Sequence, residues 1–395
     1  MTAVPTLDSL EVAGKRVLVR TDLNVPMVAG RVSDATRIDR AAETIRELAE
    51  KGARVIVMSH FGRPKGAVVP ELSLAPIADP LARAVGRDVT FSGDPLTASS
   101  GGLADGDVAL LENLRFHPGE EANDPAFAER LASLGDVYVD DAFSCAHRAH
   151  ASIDGVARLL PAAAGRLMQA ELAALEKALG APDRPLGAVV GGAKVSTKLA
   201  LLGNLVDKVD WLAIGGGMAN TFLFAAGVDV GQSLCERDMA ATAQDIAAAA
   251  DGAGCRLILP TDVVVAEDVA AGSPHKVVDV ADVPGDMVIL DIGPASIATL
   301  AATLSDCKTL VWNGPLGAFE FAPFDAGTVA VARAAAARTS NGDLLTVAGG
   351  GDTLAALTQA GVADRFSYVS TAGGAFLEWL EGKELPGVAV LRGED

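Results

Sequence analysis

A chain of 395 residues exceeds what one ordinary core supports and suits two domains. Half its residues are hydrophobic and only 4% aromatic, with Ala, Val, Leu and Gly dominant, which excludes disorder and fits helices packed on buried parallel strands. The formal charge of -19 excludes a nucleic-acid or acidic-membrane partner, since the summed field repels a polyanion; no uncharged run reaches the roughly 18 residues of a membrane span, and four scattered cysteines without a CxxC pair suit a reducing cytoplasm.

Along the chain, short apolar runs alternate with amphipathic segments, the pattern of repeated βαβ units. Arg16–Arg20 reads as a strand, Ser33 or Asp34 as the cap of a helix whose apolar face is Ile38, Ala41, Ile45 and Leu48, and 54–59 as a returning buried strand. Further strands are expected at 108–111 and 136–140, with a helix over 125–134 between them. The stretch AAAGRLMQAELAALEKAL at 162–179 reads as one long helix, closed by the breakers Gly180, Pro182 and Pro185. That places a domain boundary there, giving domains 1–170 and 171–395; the helix either links two lobes or is an ordinary surface helix.

The second half repeats one phrase of apolar strand, glycines and helix: LGAVVGGAK, WLAIGGGMAN, TLVWNGPLG, LLTVAGGGDT and SYVSTAGGA. Their spacing varies too much for a solenoid and predicts one doubly wound sheet. The expected fold is therefore α/β, with two doubly wound parallel-sheet (Rossmann-like) lobes joined by a helix and hinge.

Charge is uneven: 18 basic and 23 acidic residues occur up to position 170, against 14 and 28 after it. Polar groups follow the apolar strands of the first half: Asp22 and Asn24, His60 and Arg63, Arg115, then His147, Arg148 and His150, with Arg37 in the first turns of the helix after the first strand. Such cations suit a small molecule bearing phosphate and carboxylate, because the guanidinium fork matches both. In the second half, glycines after strands let helix N-termini present N–H groups to anions. Gly191 to Lys198 adds Lys194 and Lys198, four apart, which one helical face can aim at a polyphosphate; the alternative is two solvated lysines. Asp352, in the first turn after Gly349-Gly350-Gly351, either caps its helix or ligates Mg²⁺. No Walker A loop, GxSxG elbow or GxGxxG fingerprint is present, and the histidines lack metal-ligand spacing. The residues point to phosphoryl transfer between a magnesium nucleotide and a small anion; a different small-molecule kinase and a two-lobe anion-binding protein remain as alternatives.

The segments VRTDLNVP, SHFGRPKG, LLENLRFHPGEE, DDAFSCAHRAHAS, GGAKVSTK, NGPLGAFE and AGGGDT, in this order from near residue 16 onward, resemble the phosphoglycerate kinase family. The resemblance implies reversible Mg²⁺-dependent transfer between ATP and the carboxylate of 3-phosphoglycerate, giving ADP and 1,3-bisphosphoglycerate, in a cytoplasmic monomer. It implies that Asp22, Leu23, Asn24, Arg37, His60, Phe61, Gly62, Arg63, Arg115 and Arg148 hold phosphoglycerate on the N-terminal domain. Lys198, Glu320, Gly350, Gly351, Asp352 and Thr353 would bind nucleotide, with Asp352 serving the metal. Arg37, Lys194, Gly373 and Gly374 would meet the group in transit, and the tail after about 385 would return to the N-terminal domain. The family's STGGGAS appears as Ser370-Thr371-Ala372-Gly373-Gly374-Ala375-Phe376, so Ala372 and Phe376 depart from the pattern. Ser144 and Cys145 also stand where the family often has other small residues.

Overall fold

The continuous apolar runs become strands buried on both faces. The computed structural model describes residues 4–98 and 100–393. Its contacts divide the chain into two units: Met1–Leu172 with Glu384–Asp395, and Ala173–Lys383.

The first unit runs β1 Arg16–Arg20, a short hairpin of β2 Met27–Val28 and β3 Arg31–Val32, α1 Thr36–Glu50, β4 Arg54–Met58, α2 Ala78–Val85, β5 Val89–Gly93, β6 Val108–Leu111, α3 Pro118–Glu121, α4 Pro125–Ala132, β7 Val137–Asp140, α5 Val156–Leu159, β8 Ala162–Ala164 and most of α6 Arg166–Leu175, within which the division falls. Six strands form a parallel sheet in the order β5-β6-β4-β1-β7-β8. Alternate residues Val17, Val19, Val55, Val57, Val108 and Leu110 join Ile38, Ile45, Leu48 and Leu81 in one core, while Leu18, Ile56 and Tyr138 are buried by the opposite pleat. The strand order reverses between β1 and β7.

Two local expectations change. Neither Ser33 nor Asp34 occupies the N-cap: the helix starts at Thr36 after Ala35, and Asp34 Oδ1 accepts the Thr36 N–H at 2.9 Å and hydroxyl at 2.6 Å from one residue further out. The stretch 162–179 is not one helix, because Ala162–Ala164 pairs in parallel with Tyr138–Asp140 at the sheet edge. Alanine's helix preference amounts to less than about 1 kcal/mol per residue, and the ladder bonds of an open edge override it. Helix α6 then starts at Arg166, its Leu167 and Met168 N–H groups bound by the Asp141 carboxylate at 2.8 and 3.2 Å.

The second unit contains β9 Leu186–Val190, α7 Leu199–Val206, β10 Trp211–Ile214, α8 Gly216–Ala225, α9 Ala240–Ala253, β11 Arg256–Ile258, β12 Asp262–Ala266, β13 His275–Asp279, β14 Val288–Ile292, α10 Pro294–Asp306, β15 Thr309–Asn313, α11 Ala326–Ser340, β16 Leu345–Gly349, α12 Gly351–Gln359, β17 Tyr368–Ser370 and α13 Gly373–Leu380. Its parallel sheet has the order β11-β10-β9-β15-β16-β17, so the five strand-and-glycine phrases form five adjacent strands, with the order reversing between β9 and β15. A separate antiparallel sheet, β13-β12-β14, goes beyond the single sheet expected from the sequence.

The last helix, α14 Pro386–Arg392, belongs to the first unit. Its Gly387 N–H donates to Ala146 O at 2.9 Å, and Leu385, Val388 and Leu391 are buried.

Candidate active site

In an open parallel sheet the strand-order reversal leaves a crevice beyond the carboxyl ends, since the connections on either side diverge. Each unit gathers polar side chains at that point of its own sheet.

In the first unit, the segments after β1 and β7 meet where Ser144 Oγ donates to Asp22 Oδ2 at 2.6 Å. The same carboxylate oxygen accepts from Arg37 at 2.8 Å, and that guanidinium nitrogen also donates to Asn24 O at 3.0 Å. Asn24 Oδ1 accepts the Gly62 N–H at 2.9 Å, and Gly62 O accepts from the buried Arg115 at 2.9 Å. Asp22, Asn24, Arg37, Gly62 and Arg115 thus form one bonded chain. Arg63 is exposed next to Gly62, and Arg148 donates from Nε to His147 Nε2 at 3.0 Å. Leu23 and Phe61 lie instead in the core, their N–H groups bound by Ser59 Oγ at 2.9 Å and Asn113 Oδ1 at 3.1 Å.

Behind this chain lies a cation that the sequence reading passed over. Arg20 is fully buried at the end of β1, donating to Ser152 Oγ at 2.8 Å, to the carbonyl of Thr21, and to His60 Nδ1 at 3.1 Å. Ser152 in turn donates to the buried Glu120 at 2.6 Å. Burial, reinforced by the charges of Arg20, Arg115 and Arg148, holds His60 well below the usual histidine range. His150 is pushed down to about 4, chiefly by burial. Both rings are neutral at pH 7, so with Arg20 on Nδ1 the His60 Nε2 carries the proton. The positive field comes from the arginines, and the histidines act as neutral hydrogen-bonding groups.

In the second unit, the turns after β9 and β15 approach backbone to backbone. A Cβ on Gly191 would overlap the carbonyl oxygen of Pro315, so only glycine allows this closeness. Lys198 Nζ lies across the junction, donating to Gly191 O at 2.6 Å, Asn313 Oδ1 at 2.6 Å and Asn313 O at 3.1 Å. Burial lowers its pKa to about 8, with Asp352 acting in the opposite direction. The two lysines do not share a helical face: Val195–Thr197 is a tight 3-10 turn and α7 begins after Lys198, which leaves Lys194 exposed. Asn313 Nδ2 donates to Gly349 O at 2.8 Å, and the buried Thr353 Oγ1 accepts the Gly314 N–H at 2.7 Å, tying the turn after β16 to that after β15.

Gly350, at φ +103°, is the N-cap of α12, Gly351 starts it, and Asp352 is exposed in its first turn. A cavity of about 540 Å³ is lined by Gly192, Gly217, Leu234, Leu316, Glu320 and Asp352 among others, a mostly apolar space fit for a small organic ligand. Gly373 and Gly374 open α13 after Ala372, whose φ of -89° is ordinary for alanine, and the buried Phe376 ring fills the space a side chain on Gly349 would need. Both departures from the family pattern are therefore accommodated locally. Among the described residues no cluster of three His, Cys, Asp or Glu forms a metal cage. Asp352 offers one hard carboxylate beside the cavity, which suits Mg²⁺, an ion that takes one or two carboxylates and completes its shell with phosphates and water.

Two α/β units, each built on a parallel sheet with polar groups at its switch point, define the class of α/β proteins that hold small ligands at strand-order reversals. The family model for phosphoglycerate kinase matches residues 7–383. The phosphoglycerate kinases of Methylobacterium radiotolerans and Sinorhizobium fredii are each 62% identical to the chain, over 99% and 98% respectively of both sequences. Among solved structures, phosphoglycerate kinase from Coxiella burnetii superposes with a TM-score of 0.94 at 45% identity over 98% of this chain and 99% of that one. The enzyme from Pyrococcus horikoshii gives 0.78 at 29% identity over 98% of both. The chain belongs to the phosphoglycerate kinase family. It is a phosphotransferase, and its place is in glycolysis.

Proposed function

We propose that the first unit binds 3-phosphoglycerate or 1,3-bisphosphoglycerate through Asp22, Asn24, Arg37, His60, Arg63, Arg115 and Arg148, and that the second binds ATP or ADP through Lys198, Glu320 and Gly350 to Thr353. The observation that carries this reading is the placement of a cationic cluster and of a glycine-turned cavity each at its own sheet's reversal.

The acceptor carboxylate, with a pKa of about 4, is ionised at neutral pH, so transfer requires no general base. Neutral, buried His60 and His150 fit that requirement. What the reaction needs is alignment and positive charge around the three equatorial oxygens in transit. Arg37, oriented by Asp22 and Asn24, supplies one charge, and exposed Lys194 a second. The N-terminal N–H groups of α13, at Gly373 and Gly374, add fixed dipoles. Lys198 already satisfies all three of its protons, so a phosphate oxygen must replace one of its carbonyl partners. Asp352 would hold Mg²⁺, which when bound would neutralise charge on the nucleotide phosphates. The ligands sit on different units, so transfer requires hinge closure, which also excludes water. No described helix is long and apolar enough to cross a membrane. The family resemblance supports a cytoplasmic monomer.

The test is ATP formation from ADP and 1,3-bisphosphoglycerate by the purified chain, with and without Mg²⁺. Magnesium-dependent ATP production supports the assignment. A chain that binds these anions without forming ATP would be a binding protein instead.

A further inference from the structure

Asp291 is a carboxylate with no part in the scheme above, and it is buried against the wall of the nucleotide cavity. It lies in β14, next to the strand's last residue. Its Oδ2 accepts the N–H of Gly327, in the first turn of α11, at 2.6 Å, and its Oδ1 accepts the N–H of Ile292 at 2.9 Å. A side chain at either Gly317 or Gly327 would collide with this carboxylate, so both backbones pack directly on it. Beside it, the Ala318 N–H donates to Leu290 O at 2.7 Å, fastening the loop 314–320 to β14.

That loop begins at Gly314, bound by Thr353, directly after the Asn313 that holds Lys198, and it ends at Phe319 and Glu320 on the cavity. Burying a carboxylate is costly, and capping α11 alone needs only a neutral hydroxyl or amide. We propose that Asp291 is a positioning residue for the nucleotide: wedged among β14, Gly317 and the first turn of α11, its carboxylate sets the shape of the loop that walls the cavity. This rests on reading the cavity as the nucleotide site.

Two acceptor oxygens are required at once. Asparagine can give an oxygen to only one of the two N–H groups and turns its own donors toward the other. Around the carboxylate, β12 faces it with uncharged Val264, and the charged neighbour is Asp325 at the N-cap of α11. Burial, with Asp325 adding to it, pushes Asp291 up to about 7.

The test uses titration calorimetry on the full chain with MgADP and, separately, 3-phosphoglycerate, for wild type, Asp291→Asn and Gly317→Ala. Gly317→Ala pushes the same loop off the carboxylate while keeping the charge, and it decides the matter if Asp291→Asn does not fold. Each variant is expected to bind MgADP about tenfold more weakly, the scale of one charge-assisted hydrogen bond, while binding 3-phosphoglycerate as wild type does. Wild-type MgADP affinity in the folded variants overturns the proposal, and so does an equal loss for both ligands, which signals general loosening. A wild-type protein that binds no MgADP overturns instead the reading of the cavity.

Discussion

Arg37 and Lys194 are held very differently. Arg37 is fixed by Asp22 and the Asn24 carbonyl, while Lys194 is exposed on a loop where Ser196, two positions on, is gripped by Glu236 at 2.5 and 2.9 Å. Loop geometry therefore aims Lys194, and side-chain bonds aim Arg37. If both meet the phosphoryl group in transit, Arg37→Ala and Lys194→Ala should each lower kcat about 100-fold or more, the usual consequence of deleting a charge from a water-poor site. Near-normal turnover in either purified variant contradicts its role.

Lys198 makes a pH-dependent prediction. Its pKa is depressed to about 8 by burial, so in the free enzyme the ammonium loses its proton as pH rises through that value. A polyphosphate beside it favours the charged form and pulls the proton back. ADP affinity should fall as pH rises through about 8, and binding at about pH 8.5 should take up a proton. Calorimetry in two buffers of different ionisation enthalpy measures that uptake, which Lys198→Met should abolish. Absence of uptake in the wild type would remove Lys198 from the phosphate site.

At the scale of elements, α13 and β16 are joined by one side chain. Phe376 is fully buried and covers Gly349, whose carbonyl receives Asn313, the residue that also holds Lys198. Phe376→Ala should cost about 3–5 kcal/mol in urea unfolding of the second unit, the range for an emptied aromatic site. A loss below about 1 kcal/mol would mean that the neighbouring helix collapses into the gap. The elements show what the sequence carried. Strands such as Val108–Leu111 and Leu186–Val190 were legible because burial on both faces demands unbroken apolar runs. Ala162–Ala164 was not, since three alanines read as helix and only an open sheet edge makes them a strand. The β13-β12-β14 sheet was hidden too, because β13 is mostly exposed and its pairing with β12 joins segments outside the strand-and-helix rhythm. Polar groups that directly follow apolar runs, such as Asp22, Asn24 and Arg115, could be picked out as strand-end residues. Arg20 could not, because it is counted as the last residue of the strand itself and its partners His60 and Ser152 lie 40 and 132 residues away. Leu23 and Phe61 carry the opposite lesson: residues embedded in a polar segment can still belong to the core.

For the whole molecule, the proposed division of labour between the units would require motion. The contact division puts Arg37 in one unit and Lys194, Lys198 and Asp352 in the other. A phosphoryl group travels only a few ångströms between reacting atoms about 3–3.5 Å apart, so both ligand sets must converge on it. A site held permanently closed would trap its products, whereas one held open would let water take the phosphoryl group. Binding of either ligand alone completes only one half of the converging charges, and the second ligand supplies the differential contact that favours closure. Small-angle scattering with 3-phosphoglycerate and MgADP, a pair that fills both halves without reacting, should therefore give a smaller radius of gyration than either ligand alone. The Arg37→Ala chain, which still binds MgADP, should show a weaker contraction because one of the converging charges is missing. Identical dimensions in all ligand states would mean that the two half-sites never need to move, and with that the assignment of Arg37 and Lys194 to one travelling group fails.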